Sequence, residues 1–245
     1  SEKRCVIWPP VYGRGTFRRT ACSLTAHRCG RPNTAWLAAW DTGDVNQHYF
    51  SESPAGDFTT REIDITLAGA TRSVVTAGGV FSPEHIDRGT EILLRELPET
   101  AGDGAILDIG CGWGPITLSA ALNAPERAVW AIDVNERSRE LTRRNAARLG
   151  LTNVHVAAPD DVPAELHFAE IHSNPPIRVG KDALHEILRQ WLPRLDVDGI
   201  AHLVVAKHLG ADSLQRWIAA EFPDFEVARV ARDKGFHIIA AQRLR

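Results

Sequence analysis

Leu107-Asp108-Ile109-Gly110-Cys111-Gly112-Trp113-Gly114-Pro115 reads as the end of a strand, a glycine-rich turn and the start of a helix. Ala105–Ile109 is a short apolar run suited to a buried parallel strand. Glycines 110, 112 and 114 let the backbone turn sharply and let a ligand approach where a Cβ would obstruct it. Pro115 fits the first turn of a helix, where its missing N–H costs nothing. Asp108 narrows the reading. A fold that seats a pyrophosphate needs a bare helix N-terminus, and a carboxylate two residues before the first glycine would repel it. A cationic or amine-bearing ligand suits that carboxylate instead.

The flanking sequence alternates strand and helix. Ala128–Ile132 is a strand ending at Asp133, and a helix from Glu136 to Leu149 stops at Gly150. Val154–Ala157 is followed by the loop Asp160-Asp161, and Phe168–His172 by Ser173-Asn174-Pro175-Pro176. A helix over Lys181–Leu192 buries Leu184, Ile187, Leu188 and Trp191. Ile200–Ala206, a helix over Ala211–Ala220, and two strands, Glu226–Val230 and His237–Ala241, complete the chain. Upstream, Glu62–Leu67 and Arg72–Ala77 form a hairpin, and Ser82-Pro83 is read as N-cap and N1 of a helix ending before Pro98. The fold class is α/β. It is a doubly wound (Rossmann-like), mostly parallel seven-stranded sheet with a C-terminal antiparallel hairpin, preceded by a small N-terminal β-hairpin and helix, with ligands at the strand C-termini.

Residues 1–46 show neither helical nor strand periodicity and carry seven Lys/Arg against three Asp/Glu. They read as an extension, disordered or non-native, before a domain at 47–245 that divides into 47–98 and 99–245. A basic RNA arm with Trp36 or Trp40 stacking, or a metal site from Cys22, His27 and Cys29, are the other readings of that stretch. The rest of the chain sums to −7 of the net −3, so any nucleic-acid contact must come from a local patch. With no apolar run of membrane length, no secretory pattern and no Cys-x-x-Cys pair, a cytoplasmic protein without a bound metal is expected.

Two further constellations carry chemistry. Asp133, after the second strand, can accept both ribose hydroxyls of a nucleoside, and Asp160, after the third, the exocyclic amine of its adenine. The tetrad Asn174-Pro175-Pro176-Ile177 leaves the strand beside the glycine loop. Prolines fix its backbone and leave carbonyls without local donors. The Asn174 amide oxygen and the Pro175 carbonyl can then accept both protons of a planar –NH₂ and free its delocalised lone pair.

These motifs resemble a class I S-adenosylmethionine-dependent amino methyltransferase. Gly79-Val80-Phe81-Ser82, Asp87-x-Gly89-Thr90 and Asp133-Val134-Asn135-x-Arg137 make residues 47–245 similar to the small-subunit ribosomal RNA guanine-N2 methyltransferases of the RsmC type. The resemblance implies S-adenosylmethionine held by Asp108, Gly110, Cys111, Gly112, Gly114, Asp133, Val134, Asn135, Asp160 and Asn174. It implies catalysis by Asn174, Pro175 and Pro176, and RNA contacts from Phe81, Ile177, Arg178, Lys181, Lys207 and Lys234. Five arginines on the helix from Glu136 make either an RNA face or a solvated one. In the family the tetrad usually ends in a stacking aromatic, where Ile177 stands here, and two tandem domains are common, where this sequence matches the catalytic one. The expected reaction is N-methylation of a base amine, guanine N2 first. The alternatives are a protein glutamine amide, adenine N6, or a scaffold that binds the cofactor without catalysis. The oligomeric state is left open.

Overall fold

Buried strands flanked by helices on both faces set the architecture in the computed structural model, which describes residues 58–98, 102–177 and 180–245. The expectations for 1–46, including the basic arm and Cys22, His27 and Cys29, lie outside the described residues, as does Arg178. The described residues all belong to one unit, Asn33–Arg245.

In chain order the elements are strands β1 (Thr60–Leu67) and β2 (Ala70–Ala77), helix α1 (Arg88–Glu96), β3 (Ile106–Ile109), α2 (Pro115–Asn123), β4 (Val129–Ile132), α3 (Glu136–Arg148), β5 (Val154–Ala157), β6 (Phe168–Ser173), α4 (Lys181–Trp191), β7 (Leu195–Ala206), α5 (Ala211–Glu221), β8 (Phe225–Asp233) and β9 (Phe236–Arg243). The main sheet has the order β5-β4-β3-β6-β7-β9-β8, parallel from β5 to β7, with β9 antiparallel to both neighbours. The order reverses between β3 and β6, and crevices at such points receive ligands. All four residues of β3 are buried, the pattern of a strand covered on both faces. Leu184, Ile187, Leu188 and Trp191 of α4 pack with Phe168, Ile171 and Leu203 in the largest core cluster.

Two boundaries differ from expectation. Ser82-Pro83 does not start a helix. Ser82 adopts φ +45°, and its hydroxyl donates to His85 O at 2.7 Å, closing a turn instead of capping helical N–H groups. Asp87 is the cap of α1, its carboxylate accepting from Gly89 N at 2.8 Å. Strand β7 begins at Leu195, earlier than Ile200, because the polar run before Ile200 hides the strand while Asp198 takes φ +67°.

The β1–β2 hairpin forms its own two-stranded sheet and buries Ile65, Leu67, Val74 and Ala77 against Trp113, Leu118 and Leu141. Asn145 of α3 fastens it. Its Oδ1 accepts from Val75 N at 2.7 Å, and its Nδ2 donates to Val75 O and to Trp113 O, each at 2.9 Å. The side chain thus replaces a missing strand partner for Val75. We expect Asn145→Ala to lower the unfolding free energy by roughly 2–4 kcal/mol, because three backbone groups lose their partner. Urea unfolding measures it, and an unchanged midpoint would show the fastening to be idle.

Candidate active site

The glycine loop is held on every side by bonds that follow from its place at the end of β3. Gly110 N and Cys111 N both donate to Ile132 O of β4, at 2.8 and 3.0 Å. Gly112 N donates to Asp133 Oδ2 at 3.0 Å, and Thr142 Oγ1 donates to Gly112 O at the same distance. Gly110 and Gly112 have φ of +77° and +59°, and a Cβ on either would meet no atom within 4 Å. That open space belongs to a cavity of ≈ 230 Å³ at the sheet's C-terminal edge, lined on the loop side by Gly110, Cys111, Gly112 and Trp113.

Opposite the loop stands the Asn-Pro-Pro exit of β6. Ser173 Oγ donates to Ile109 O at 2.7 Å and sets the two strand ends in register. Asn174 Nδ2 donates to Asp87 Oδ2 and to Thr90 Oγ1, each at 3.0 Å. A carboxylate only accepts, so the amide must turn its NH₂ toward Asp87. Among the described residues nothing donates to Asn174 Oδ1, which is the end of the amide left for the cavity that Asn174 lines. Gly89 permits this arrangement. A Cβ there would lie 3.0 Å from Asp87 Oδ2 and 3.0 Å from the Phe236 ring. The Pro175 carbonyl is not free of local donors as expected. Ile177 N reaches it at 2.8 Å across a tight turn, leaving its second lone pair.

Of the residues singled out from sequence, the cavity brings together Phe81, Gly110, Cys111, Gly112, Asp133, Asn174, Pro175, Pro176 and Ile177. The others are elsewhere. Asp108 is buried behind the loop, where its Oδ2 accepts from Thr117 N at 3.0 Å and Thr117 Oγ1 at 2.6 Å, so it caps α2. Asn135 caps α3 through Arg137 N at 2.9 Å and ties Gly79 O through Nδ2 at the same distance. Val134 is in the core and Gly114 is the left-handed N-cap of α2. Asp160, Lys181 and Lys234 are exposed and do not line the cavity, and Lys207 lines a neighbouring cleft. Asp87 and Thr90 stood in the quoted Asp-x-Gly-Thr motif without a role. Trp113, His208, Leu209 and Phe236 were missed as wall residues, because nothing local marks a residue that meets the site only after folding.

Two buried carboxylates dominate the electrostatics, with Arg139 the cation that acts on Asp133. Burial pushes Asp108 up to about 7 against the bonds from Thr117, and the charge of Asp133 adds to the rise. Asp108 Oδ1 is buried with no partner. Burial likewise raises Asp133 to about 6, although Asn135 N at 2.9 Å and Gly112 N hold its charged form. The Cys111 thiol is raised by burial and then by these two carboxylates, which makes it a packing residue rather than a nucleophile. Both acids bind protons more tightly folded than unfolded. Stability from them is therefore fullest below about pH 4 and is lost as pH rises through 6 to 7. Asp108→Asn should gain melting temperature over wild type at about pH 8 and less at about pH 5, while buried His202, lowered to about 3 and acting in the opposite sense, contributes equally to both proteins. A melting series in which wild type and variant slope alike would refute the assignment.

The profile of the family described as "Methyltransferase small domain" matches residues 71–240. The uncharacterized protein YbxB of Bacillus subtilis (strain 168) is 36% identical over 203 residues, 82% of this chain and 100% of that protein. Ribosomal RNA small subunit methyltransferase C of Shewanella denitrificans is 34% identical over 179 residues, 67% of this chain but 47% of that protein. The chain thus spans about half the length of that relative. T. thermophilus 16S rRNA N2 G1207 methyltransferase (RsmC), solved with AdoMet and guanosine, has a TM-score of 0.65 and 22% identity over 78% of this chain and 52% of that one. This last likeness is one of fold.

Proposed function

The chain belongs to the methyltransferase small domain family and is an S-adenosylmethionine-dependent methyltransferase; from that premise we propose that it methylates an exocyclic amine of an RNA base, first among them guanine N2 of small-subunit rRNA. The catalytic unit in this reading is residues 47–245, which contains the family match at 71–240.

The cavity suits the cofactor on its own chemistry. The Gly110 and Gly112 cradle has room where a Cβ would stand, and two buried carboxylates, whose charged forms burial disfavours, would be held ionised by a sulfonium and an ammonium group. Asp133 is the residue to accept ribose hydroxyls. Asp108, buried behind the loop, acts through the field and through α2 rather than by lining the cavity. When bound, S-adenosylmethionine supplies an electrophilic methyl carbon.

The observation that carries the acceptor chemistry is the fixed amide of Asn174. Its NH₂ protons are held by Asp87 and Thr90, so Oδ1 can only accept. With the second lone pair of Pro175 O, it offers two acceptors to a planar amine. Holding both amine protons draws the nitrogen toward tetrahedral geometry and frees its lone pair for in-line attack. No strong base is required, since the proton leaves after transfer. Orientation of this kind is worth up to roughly 7–11 kcal/mol. Phe81 and Ile177 line the cavity with the apolar faces a flipped base needs, and Phe81 is 46% exposed at the rim.

The test follows labelled methyl groups from the cofactor onto 30S subunits, naked rRNA and protein fractions. Label on guanine supports the reading; label confined to protein replaces it with amide methylation. Asn174→Ala should abolish transfer and spare cofactor affinity. Thr90→Val, which removes one of two acceptors holding the amide, should lower kcat roughly tenfold with the KM for cofactor unchanged. Full turnover in Asn174→Ala would remove the mechanism.

A further inference from the structure

A second cleft, ≈ 510 Å³, lies between α5 and the β8–β9 hairpin. Lys207, Arg216, Arg229 and Arg232 line it around His237, with Asp212 the one carboxylate among its lining residues. Arg229 Nη1 pairs with Asp212 Oδ1 at 2.5 Å, and His237 Nδ1 lies 3.6 Å from the same oxygen. Among the described residues Lys207, Arg216 and Arg232 have no ion-pair partner, and all three are exposed. His237 is buried, and its pKa is lowered by burial first and then by Arg229, with Arg232 and Lys207 acting in the same direction. Four cations around one carboxylate repel one another in a chain whose net charge is −3, so an anionic ligand would relieve a standing cost.

The arginines of α3 behave differently. Arg144 pairs with Glu140 at 2.7 Å, Arg148 with Glu62 at 2.8 Å, and Arg139 donates to Asp133 O and Val134 O, each at 2.7 Å. On that helix Arg143 and Arg144 share Glu140 and Arg148 reaches Glu62 of β1, so three of the five arginines stand in ion pairs. Connectivity favours the cleft as well. Lys207 precedes His208, which lines the cavity, and Phe236 lines the cavity while His237 lines the cleft. Ala206, the last residue of β7, lines the cavity and Lys207 after it the cleft, and Phe236 and His237 are neighbours on β9 that point to opposite faces, so the two spaces flank the same strand ends.

We propose that this cleft carries the sugar–phosphate backbone of the RNA flanking the base that enters the cavity. The inference rests on the RNA reading above. Guanidinium groups match phosphate oxygens in bidentate geometry, and three unpaired cations lining a cleft whose residues adjoin those of the cavity in sequence suit a strand passing beside it. The single-stranded RNA it takes is read by charge, without sequence preference.

The test uses the full chain and an oligouridylate RNA of about twenty nucleotides, followed by fluorescence anisotropy over a salt series. The double variant Arg216→Gln/Arg232→Gln should weaken binding and lower the slope of log Kd against log salt by about 1.4, two contacts at roughly 0.7 each. Its melting midpoint and S-adenosylmethionine affinity should match wild type. A double variant with the wild-type slope overturns the proposal. So does a wild type that binds a polyglutamate peptide of equal charge more tightly than the RNA, since the cleft would then fit an acidic protein. Methyl transfer to 16S rRNA run in parallel separates the two inferences. Wild type that labels RNA while the variant keeps its slope sinks the cleft alone. Wild type that labels only protein and ignores oligouridylate sinks the RNA reading and the cleft with it.

Discussion

Both amide protons of Asn174 are engaged, one by Asp87 and one by Thr90. Much of the site depends on that arrangement. An asparagine free to rotate presents donor and acceptor in turn, and half its orientations would repel an amine's protons. A carboxylate on the NH₂ side removes that freedom, because two acceptors cannot face each other. The same carboxylate caps α1 through Gly89 N, at a helix end whose dipole favours negative charge. One carboxylate thereby starts a helix and fixes an amide just past a strand end 87 positions away.

The loop across the cavity obeys a different constraint. Asp133 holds Gly112 N and Asn135 N at once, and Asp108 holds Thr117, so each acid is bound to backbone donors of the loop or of the helix that follows it. Burial opposes both charges. The sheet therefore keeps negative charge in low dielectric at the place where a cationic cofactor suits it, and the fold without ligand bears that cost.

Much of this was legible in the sequence. The 3.6 period placed α3 and α4, and the short apolar runs placed β3, β4 and β6. Asp-x-Gly-x-Gly-x-Gly and Asn-Pro-Pro marked the two walls that meet. Two errors share a cause. Ser82-Pro83 has the composition of a helix start, yet the chain there closes a turn on His85 O, and Asp87 takes the cap. Pro175 O looked free of donors, yet Ile177 N folds back onto it. In both places a local bond within two or three residues takes up a group that composition alone leaves open to either pattern. The cofactor roles that the family resemblance implies for Asn135 and Val134 meet side chains otherwise engaged, since one caps a helix and the other fills the core.

By itself the sequence determined most elements, the layered α/β architecture and which asparagine leaves the strand beside the glycine loop, because periodicity and glycine or proline geometry act over a few residues. Tertiary structure alone decided which way that amide faces, that Asp108 lies behind the loop instead of in the cavity, and that Lys207, Arg216, Arg229 and Arg232 share one cleft while Arg143, Arg144 and Arg148 of α3 stand in ion pairs. The physical reason is one of range. Hydrogen-bond direction and charge pairing depend on groups brought within a few ångströms by sheet order, and sequence separation carries no record of that distance.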